Sequence, residues 1–314
     1  GTLLCAIGFC LLQTVHTFPW LVLLLFLTGL GSSVQHPLCS ALVSQAYEEG
    51  PRRTVLGTYN FTGDLGKMSL PVAITLLITW FGWRSATFCT GATAGVCAIV
   101  IYAALRRIDT VVYAPRVSKD SLSGNGWGIR DKRSFTVLST IHILDSTART
   151  SLLTYLSFVL LAKGAELPTI GIAVGLTLGG GAAGKFFCAV LAQRYGINRT
   201  VITTELVTGG GIAALVFLPL GPALILLPVL GMALNGTSSV LYGTVAELVE
   251  AKKRGRAYGL FYTLGIGSGA LAPSVYGLLC DRVGVQATLL TTAVVVLLII
   301  PLVNLLHLTD TPQQ

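Results

Sequence analysis

Long apolar runs separated by short polar breaks make up most of the chain. A helix needs about 20 apolar residues to cross roughly 30 Å of hydrocarbon, and the runs have about that length. The breaks contain Gly, Pro and charged residues, which are typical of turns. The pattern therefore predicts ten membrane-spanning helices. They are expected near residues 2–15, 20–46, 55–80, 84–105, 134–162, 167–192, 200–219, 221–247, 257–280 and 285–307.

Composition agrees with this pattern. Hydrophobic residues make up 53% of the chain, charged residues make up 11%, and the mean hydropathy is +0.76. Soluble domains carry about 25% charged residues. The chain is therefore predicted to be an all-α polytopic membrane protein with the lipid bilayer as its surroundings.

Four turn-forming residues recur at a constant interval of 202 positions. They are Gly57, Gly63, Pro71 and Gly82, which return as Gly259, Gly265, Pro273 and Gly284. Such self-similarity indicates a duplicated architecture. The longest polar connection, 106–133, lies between the two copies. We therefore expect an N-terminal bundle at 1–105, a linker at 106–133 and a C-terminal bundle at 134–314.

The positive charges alternate between connections. Of the 21 Lys and Arg residues, 16 lie at 47–54, 106–133, 185–199 and 252–256. The intervening connections hold only Arg84, Lys163 and Arg282. Basic loops mark the cytoplasmic side, so the linker and the C-terminus are predicted to be cytoplasmic. The net charge of +8 is explained by topology, and no nucleic-acid partner is expected.

The repeat also predicts what precedes residue 1. The basic segment 184–199 follows the sixth predicted span, and a shift of 202 residues places its partner at about position −18. Two further helices are expected before residue 1, which makes twelve in all.

A duplicated set of twelve helices with a basic linker resembles the major facilitator superfamily. The segment from Leu191 to Arg199 is similar to the loop signature of that family, and it differs from the signature at Ala189 and Gln193. The run from Gly31 to Pro37 is similar to the fourth helix of fosmidomycin-resistance-like members. The resemblance implies two pseudo-symmetric bundles, with ten of twelve helices present in this chain.

The resemblance also implies a function. A protein of this kind is expected to be a monomeric secondary transporter of the plasma or inner membrane, which moves a small organic molecule by alternating access. Proton-coupled efflux is the favoured form. Uptake or exchange of an organic anion is the alternative, and a membrane sensor with a transporter fold is the alternative without transport. No enzymatic activity is expected, because none of the common catalytic motifs occurs.

Ionisable residues inside predicted spans are candidates for the substrate or proton pathway, because burying them costs several kcal/mol. Asp64 and Lys67 are three residues apart, and Asp145 and Arg149 are four apart, so each pair shares a helix face. Each pair is either a structural ion pair or a functional one. We favour function for Asp145 and Arg149, because the resemblance places their helix beside the pathway.

Two histidines extend this set. His36 precedes Pro37, which can open a helix, and His142 lies three residues before Asp145. Either could bind substrate or carry protons, or simply hydrogen-bond a neighbouring helix. Glu205 lies about two turns inside its span and is expected to reach the membrane interface.

Charged residues of the basic loops are candidates for a cytoplasmic gate. Salt bridges across these loops could hold the inner side closed, although a solvated cluster of charges that only sets topology is the favoured single explanation. The charged candidates are Arg194, Arg199, Glu247, Arg254 and Arg256, and Gly196 lies between the first two.

Glycines spaced by four residues permit close approach of helices. Such spacing occurs in Gly91/Gly95, Gly171/Gly175/Gly179 and Gly265/Gly269. No cofactor or metal is predicted. The seven cysteines are dispersed in apolar segments, and Phe186 follows Gly184-Lys185 where a phosphate-binding loop needs Ser or Thr.

Overall fold

The computed structural model describes residues 1–33, 35, 39, 52–107, 127–245, 247–250 and 253–306, and for 52–57, 60, 254 and 255 it describes only the backbone. The described part is helical throughout, apart from turns and one two-residue bridge. The helices are α1 Thr2–Leu12, α2 Phe18–Ser33, α3 Arg52–Arg107, α4 Lys132–Ala162, α5 Leu167–Tyr195, α6 Ile197–Phe217, α7 Leu220–Val245, α8 Arg254–Leu297 and α9 Ile299–Val303.

Five stretches of the described residues are long and apolar enough to cross a membrane: Phe61–Arg107, Leu167–Tyr195, Ile197–Phe217, Leu220–Val245 and Arg256–Val303. The helix α4 is also long, at 31 residues, but it carries two basic residues in its first turn and ionisable residues near its middle. The chain is thus built from apolar helices, as the sequence pattern predicts.

The longest helix, α3, contains two of the predicted spans, and α8 contains one and the first part of the next, whose remainder includes α9. Both α3 and α8 are broken by a glycine. In α3 the break is Gly82, with φ 77° and ψ 162°. In α8 it is Gly284, with φ 83° and ψ 167°. These two glycines are 202 positions apart, so the sequence repeat reproduces the same left-handed backbone conformation in both copies. A side chain disfavours such a conformation, and glycine does not.

Gly284→Ala should lower stability by about 1–2 kcal/mol, because alanine resists a positive φ. Gly267→Ala is the matched control: neither position has an atom within 4 Å of an added Cβ, but only Gly284 has a positive φ. In detergent, the midpoint of thermal unfolding should fall by about 5 °C for Gly284→Ala. It should stay level or rise for Gly267→Ala. Equal midpoints would contradict the conformational argument.

The chain divides into two compact units, Gly1–Val117 and Ser118–Gln314. In the first unit α1 packs against both α2 and α3. Added Cβ atoms at Gly31 and Gly91 would collide with the backbone of α1, so these glycines permit close approach. The Cys5 thiol also donates to the Thr28 carbonyl at 3.2 Å. Most other side chains of α3 are exposed.

In the second unit the apolar core has two parts. The linker-side cluster contains the first half of α4 and the residues near the α7–α8 connection, such as Phe135, Ile141 and Phe261. The far cluster contains the second half of α4 and the α6–α7 connection, such as Leu156 and Leu215. Along each of four helices, α4, α6, α7 and α8, polar or glycine positions separate the two clusters. We call this region the polar layer.

The linker-side end of the second unit is tied together by backbone hydrogen bonds. Ile129 and Val249 form an isolated antiparallel bridge. The Arg130 amide donates to the Leu248 carbonyl at 3.0 Å, and the Glu250 amide donates to the Gly128 carbonyl at 2.9 Å. The residues just before α4 are thereby held against the α7–α8 connection.

Side chains complete both ends of α4. At its start the Asp131 carboxylate accepts hydrogen bonds from the Arg133 and Ser134 amides, which is a helix N-cap. Just beyond its last residue the Lys163 ammonium donates to the Val216 and Leu218 carbonyls, at 2.9 and 2.5 Å. The position of α4 along the bundle is therefore fixed at both ends.

Candidate functional site

The polar layer is a band of buried polar side chains half-way along the helices of the second unit. On α4 it lies between Ile141 and Leu152 and is interrupted by Ala148, on α6 it lies between Val201 and Ile212, and on α7 between Leu234 and Val240. Its fully or almost fully buried members are His142, Asp145, Ser146, Thr204, Glu205, Thr208, Thr237 and Ser238. Apolar packing above and below them removes water from both sides. Their electrostatic interactions are therefore stronger than those of exposed groups.

His142 is held in this layer by aromatic rings. Its imidazole stacks on Phe261, with ring centroids 4.3 Å apart, and meets Tyr242 edge-on at 5.1 Å. The residue is 1% exposed, and neither ring nitrogen has a hydrogen-bond partner. An added Cβ at Gly265 would collide with this imidazole. The repeat glycine Gly265 thus provides the space that His142 occupies.

Arg149 is bound by hydroxyl groups. Its guanidinium donates to the Ser238 hydroxyl at 3.2 Å and, at 3.5 Å, to the Ser146 hydroxyl. Ser146 in turn donates to the Gly265 carbonyl at 2.7 Å. No salt bridge joins Arg149 to Asp145, both of which belong to the described part of the chain. Their spacing places them on one helix face, as predicted, but they are not a closed ion pair.

Asp145 is 2% exposed, and its Oδ2 atom has no hydrogen-bond partner. A buried carboxylate oxygen without a donor is costly, because the lost hydration is not replaced. Structural carboxylates in protein interiors are normally satisfied. The arrangement leaves Asp145 able to accept a proton or a cationic group.

Glu205 belongs to the same layer, although its sequence position suggested that it reaches the membrane interface. That expectation is wrong. Glu205 is 0% exposed, and neither carboxylate oxygen has a hydrogen-bond partner. It interacts electrostatically with both Asp145 and Arg149. Glu205 is the single charged residue of the sequence from Thr200 to Phe217. This isolated charge in an apolar segment is the sequence signal that could have identified it.

Asp64 and Lys67 form an ion pair in the first unit. The Lys67 nitrogen lies 3.2 Å from Asp64 Oδ1, as the spacing of three residues predicts. The Lys67 side chain is 64% exposed and that of Asp64 is 13% exposed. Exposed pairs contribute little to stability, so the contact by itself does not explain why both charges are present.

The other predicted residues are placed as follows. His36 lies outside the described residues, as does the side chain of Arg254. Gly196 joins α5 to α6 with φ 86°. Arg194 lies over the Tyr195 ring at 5.4 Å. Arg199 and Glu247 are exposed and Arg256 is half-buried. Their role in a gate stays a prediction.

A cavity of about 690 Å³ opens beside α4 on its linker side. Its lining includes Trp127, Lys132, Phe135, Ser139, Glu250 and Lys253. His142, Asp145 and Arg149 are not part of this lining. The lining on α4 extends from Lys132 to Ile143, so the cavity ends before Asp145 and Arg149.

Comparison with known proteins identifies relatives. The family model described as the Major Facilitator Superfamily matches residues 1–141 and again 138–314. Among curated proteins, the multidrug efflux pump Tap of Mycobacterium tuberculosis is 30% identical over 177 residues, and so is Tap of Mycobacterium bovis. The match covers 55% of this chain and 42% of each relative, so the chain aligns with less than half of their length.

Solved structures show the same fold. A bacterial homolog of the human lysosomal transporter Spinster, inward-facing and occupied, has a TM-score of 0.76 at 14% identity, over 99% of this chain and 83% of its own. The Escherichia coli fucose:proton symporter FucP has a TM-score of 0.58 at 16% identity, over 96% of this chain and 80% of its own.

Proposed function

Because the chain belongs to the Major Facilitator Superfamily, a family of membrane transporters, we propose that it is a secondary transporter that exports small organic molecules in exchange for protons. Alternating access is the mechanism that this family's architecture supports. The bundles are the N-terminal one at 1–105 and the C-terminal one at 134–314, joined by a cytoplasmic linker at 106–133. The C-terminus is also placed in the cytoplasm, and the transporter acts as a monomer.

The observation that carries this proposal is the polar layer. Ionisable groups at membrane depth are expensive and are usually functional. Here Asp145 and Glu205 have carboxylate oxygens without partners, although both residues are almost completely buried. Such carboxyls are suited to take up and release protons. In this proposal Asp145, Arg149 and His142 bind the substrate or carry protons, and His36, Asp64 and Lys67 do so in the N-terminal bundle.

Export is favoured over uptake by the similarity to Tap, which is described as a multidrug efflux pump. Arg149 supports the second candidate, uptake or exchange of an organic anion. Its guanidinium contacts hydroxyl groups and no carboxylate of the described residues, so a substrate carboxylate or phosphate could replace the hydroxyls and bind it in bidentate fashion.

The proposal includes a cytoplasmic gate formed by charged residues of the basic loops. Arg194 lies in the last turn of α5, Gly196 joins α5 to α6, and Arg199 lies in the first turn of α6. Glu247 lies between α7 and α8, and Arg254 and Arg256 lie in the first turn of α8. Exposed charges on short loops can pair when the cytoplasmic side closes and separate when it opens. Arg194→Glu should then change cytoplasmic accessibility to a thiol reagent, whereas a charge that only sets topology would leave accessibility unchanged.

Flux through proteoliposomes tests the function. Full-length protein would be reconstituted, a proton gradient imposed, and movement of a panel of lipophilic drugs and organic anions measured. If the protein exchanges drug for protons, the drug should move opposite to the proton flow. A protonophore, which removes the proton gradient, should then abolish drug accumulation. Anions moving in the same direction as protons would establish the uptake alternative. A folded protein that moves no compound of the panel would favour a sensor.

A further inference from the structure

The cavity on the linker side of α4 is a groove between two helices that begin at the same end of the second unit. Its long walls are the first parts of α4 and α8, which pack against each other. Each wall has a lysine at its linker-side end, Lys132 or Lys253, and an aliphatic residue, Ile143 or Leu264, at its inner end. The groove is therefore basic at one end and apolar at the other.

The length of the groove matches one leaflet of a bilayer. The two walls run from 132 to 143 and from 253 to 264, and a helical stretch of that length rises about 16 Å. Half of the hydrocarbon thickness of a bilayer is about 15 Å. Trp127, which is 53% exposed, lines the linker-side end, and tryptophan is typical of the membrane interface. A lipid fits these dimensions better than a small water-soluble anion does.

The linker-side end of the groove favours an anion. No salt bridge of the described residues engages Lys132 or Lys253, and Glu250 is the acid of the lining. Two ammonium groups and one carboxylate leave a net charge of about +1 at neutral pH. Lys253 is also the N-cap of α8, where no side-chain capping bond forms. The dipole of α8 adds to the attraction, because a helix N-terminus is positive.

Ser139 supplies a donor without an acceptor in the same lining. The residue is 6% exposed, and its hydroxyl has no hydrogen-bond partner. Its neighbours in the lining, Thr136 and Thr140, donate to the carbonyls of Lys132 and Thr136, at 2.8 and 3.0 Å. Leaving a buried hydroxyl without such a bond is costly. Ser139 is therefore suited to a ligand that brings an acceptor about two turns deeper than Lys132.

We propose that this groove binds one anionic phospholipid from the leaflet on the linker side. The phosphate accepts hydrogen bonds from the Lys132 and Lys253 ammonium groups, and its single negative charge balances the local charge. The Ser139 hydroxyl donates to an ester carbonyl, and an acyl chain lies between Ile143 and Leu264. The groove ends before Asp145 and Arg149, so this lipid site is separate from the residues of the proposed transport pathway and does not rest on the proposed function.

Native mass spectrometry of full-length protein, released from detergent micelles, tests the site. Dioleoylphosphatidylglycerol should bind at one high-affinity site. Its Kd should be about tenfold lower than that of dioleoylphosphatidylcholine, which has the same chains and no net charge. Inorganic phosphate should not compete, because it lacks the acyl chain. Both measurements use the wild type, so the test does not depend on the folding of a variant.

Replacing the lysines should weaken binding of phosphatidylglycerol. Lys132→Gln and Lys253→Gln should each raise its Kd about fivefold, and the double variant should raise it about 25-fold. Arg133→Gln is the matched control. Arg133 is exposed and follows Lys132 in the first turn of α4, but it is not part of the groove lining. Its replacement should change the Kd less than about twofold, because a distant exposed charge is screened.

Ser139→Ala separates a role in lipid binding from a role in folding. The variant should raise the Kd of phosphatidylglycerol about fivefold, since one hydrogen bond to the lipid is lost. Without lipid, its midpoint of thermal unfolding should equal or exceed that of the wild type, because the unpaired hydroxyl is gone. A hydroxyl that only stabilises the fold predicts the opposite: a lower midpoint and an unchanged Kd.

Three results would overturn the proposal: equal Kd values for phosphatidylglycerol and phosphatidylcholine, displacement of the lipid by inorganic phosphate, or an unchanged Kd in the double lysine variant. The first would mean binding by the acyl chains alone, and the second a site for free anions. Proteoliposome flux without lipid preference would leave the proposed function intact. Selective lipid binding by a protein without flux would refute only transport.

Discussion

Asp145→Asn and Arg149→Ala should each reduce proton-driven flux in proteoliposomes by about 100-fold or more, at equal amounts of folded protein. Truncating a charged group that contacts a bound partner in a desolvated site costs about 2–5 kcal/mol of binding free energy, and about 3 kcal/mol already corresponds to a factor above 100. In the proposed function, Asp145→Asn removes the carboxylate that takes up a proton or pairs with substrate. Arg149→Ala removes the guanidinium that acts electrostatically on both Asp145 and Glu205.

A conservative replacement of Arg149 tests whether the geometry of its side chain matters as well as its charge. Arg149→Lys keeps the charge, but an ammonium cannot span two hydroxyls as the planar guanidinium does with Ser146 and Ser238. It should therefore keep a measurable part of the flux, well below wild type. A purely structural role for Arg149 predicts instead that flux follows the amount of folded protein in every variant.

Matched controls come from the Asp281–Gly284 turn of α8. Asp281 and Arg282 are exposed there, so Asp281→Asn and Arg282→Ala remove the same chemical groups from outside the polar layer. Both should transport at wild-type rates. Wild-type flux in Asp145→Asn or Arg149→Ala would show that the polar layer has no part in transport.

Gly231→Ala should destabilise the second unit by about 3 kcal/mol, near the upper end for an overpacked interior. A Cβ on residue 231, in α7, would collide with the Thr177 carbonyl of α5. At Gly180 and Gly184 of α5 it would collide with the Pro228 and Met232 carbonyls of α7. Backbone atoms cannot rotate away as a side chain can, so the two helices would have to separate.

The measurement is thermal unfolding in detergent. A loss of about 3 kcal/mol should lower the midpoint by about 10 °C in a unit of this size. Gly243→Ala, on the same helix, is the control, because an added Cβ there meets no atom within 4 Å. Its midpoint should match wild type. Equal midpoints for the two variants would mean that α5 and α7 are not in tight contact.

The helices were predictable from sequence because lipid imposes one requirement, a long apolar segment with internally bonded backbone. The repeat also located the two glycines, Gly82 and Gly284, at which the longest helices break. Spacing predicted close helix approach through Gly91/Gly95, Gly171/Gly175/Gly179 and Gly265/Gly269. An added Cβ at Gly91 would collide with the backbone of α1, whereas one at Gly95 would only touch Ala6 at 3.8 Å, and one at Gly265 would meet the His142 ring rather than a backbone. Residues 180 and 184 were not predicted, because spacing alone does not say which face of a helix meets a neighbour.

The candidate site was only partly predictable. Asp145, Arg149 and His142 share one helix, so their relation can be read from intervals of three and four residues. Glu205 lies on α6, 56 positions beyond Arg149, and its proximity depends on how α4, α6 and α7 pack. Sequence position suggested an interfacial residue, whereas packing buries it completely. The pairing of Arg149 with hydroxyls rather than with Asp145 likewise depends on Ser238, from another helix.

The bridge between Ile129 and Val249 has a consequence for protein engineering. Because backbone hydrogen bonds and the Asp131 cap hold the chain from Gly128 onward, an insertion of a fluorescent reporter or a protease site at 128–131 would disrupt the start of α4. Insertion between positions 110 and 125 leaves these bonds untouched. A cleavage site placed there would sever the chain without removing any residue that takes part in these bonds.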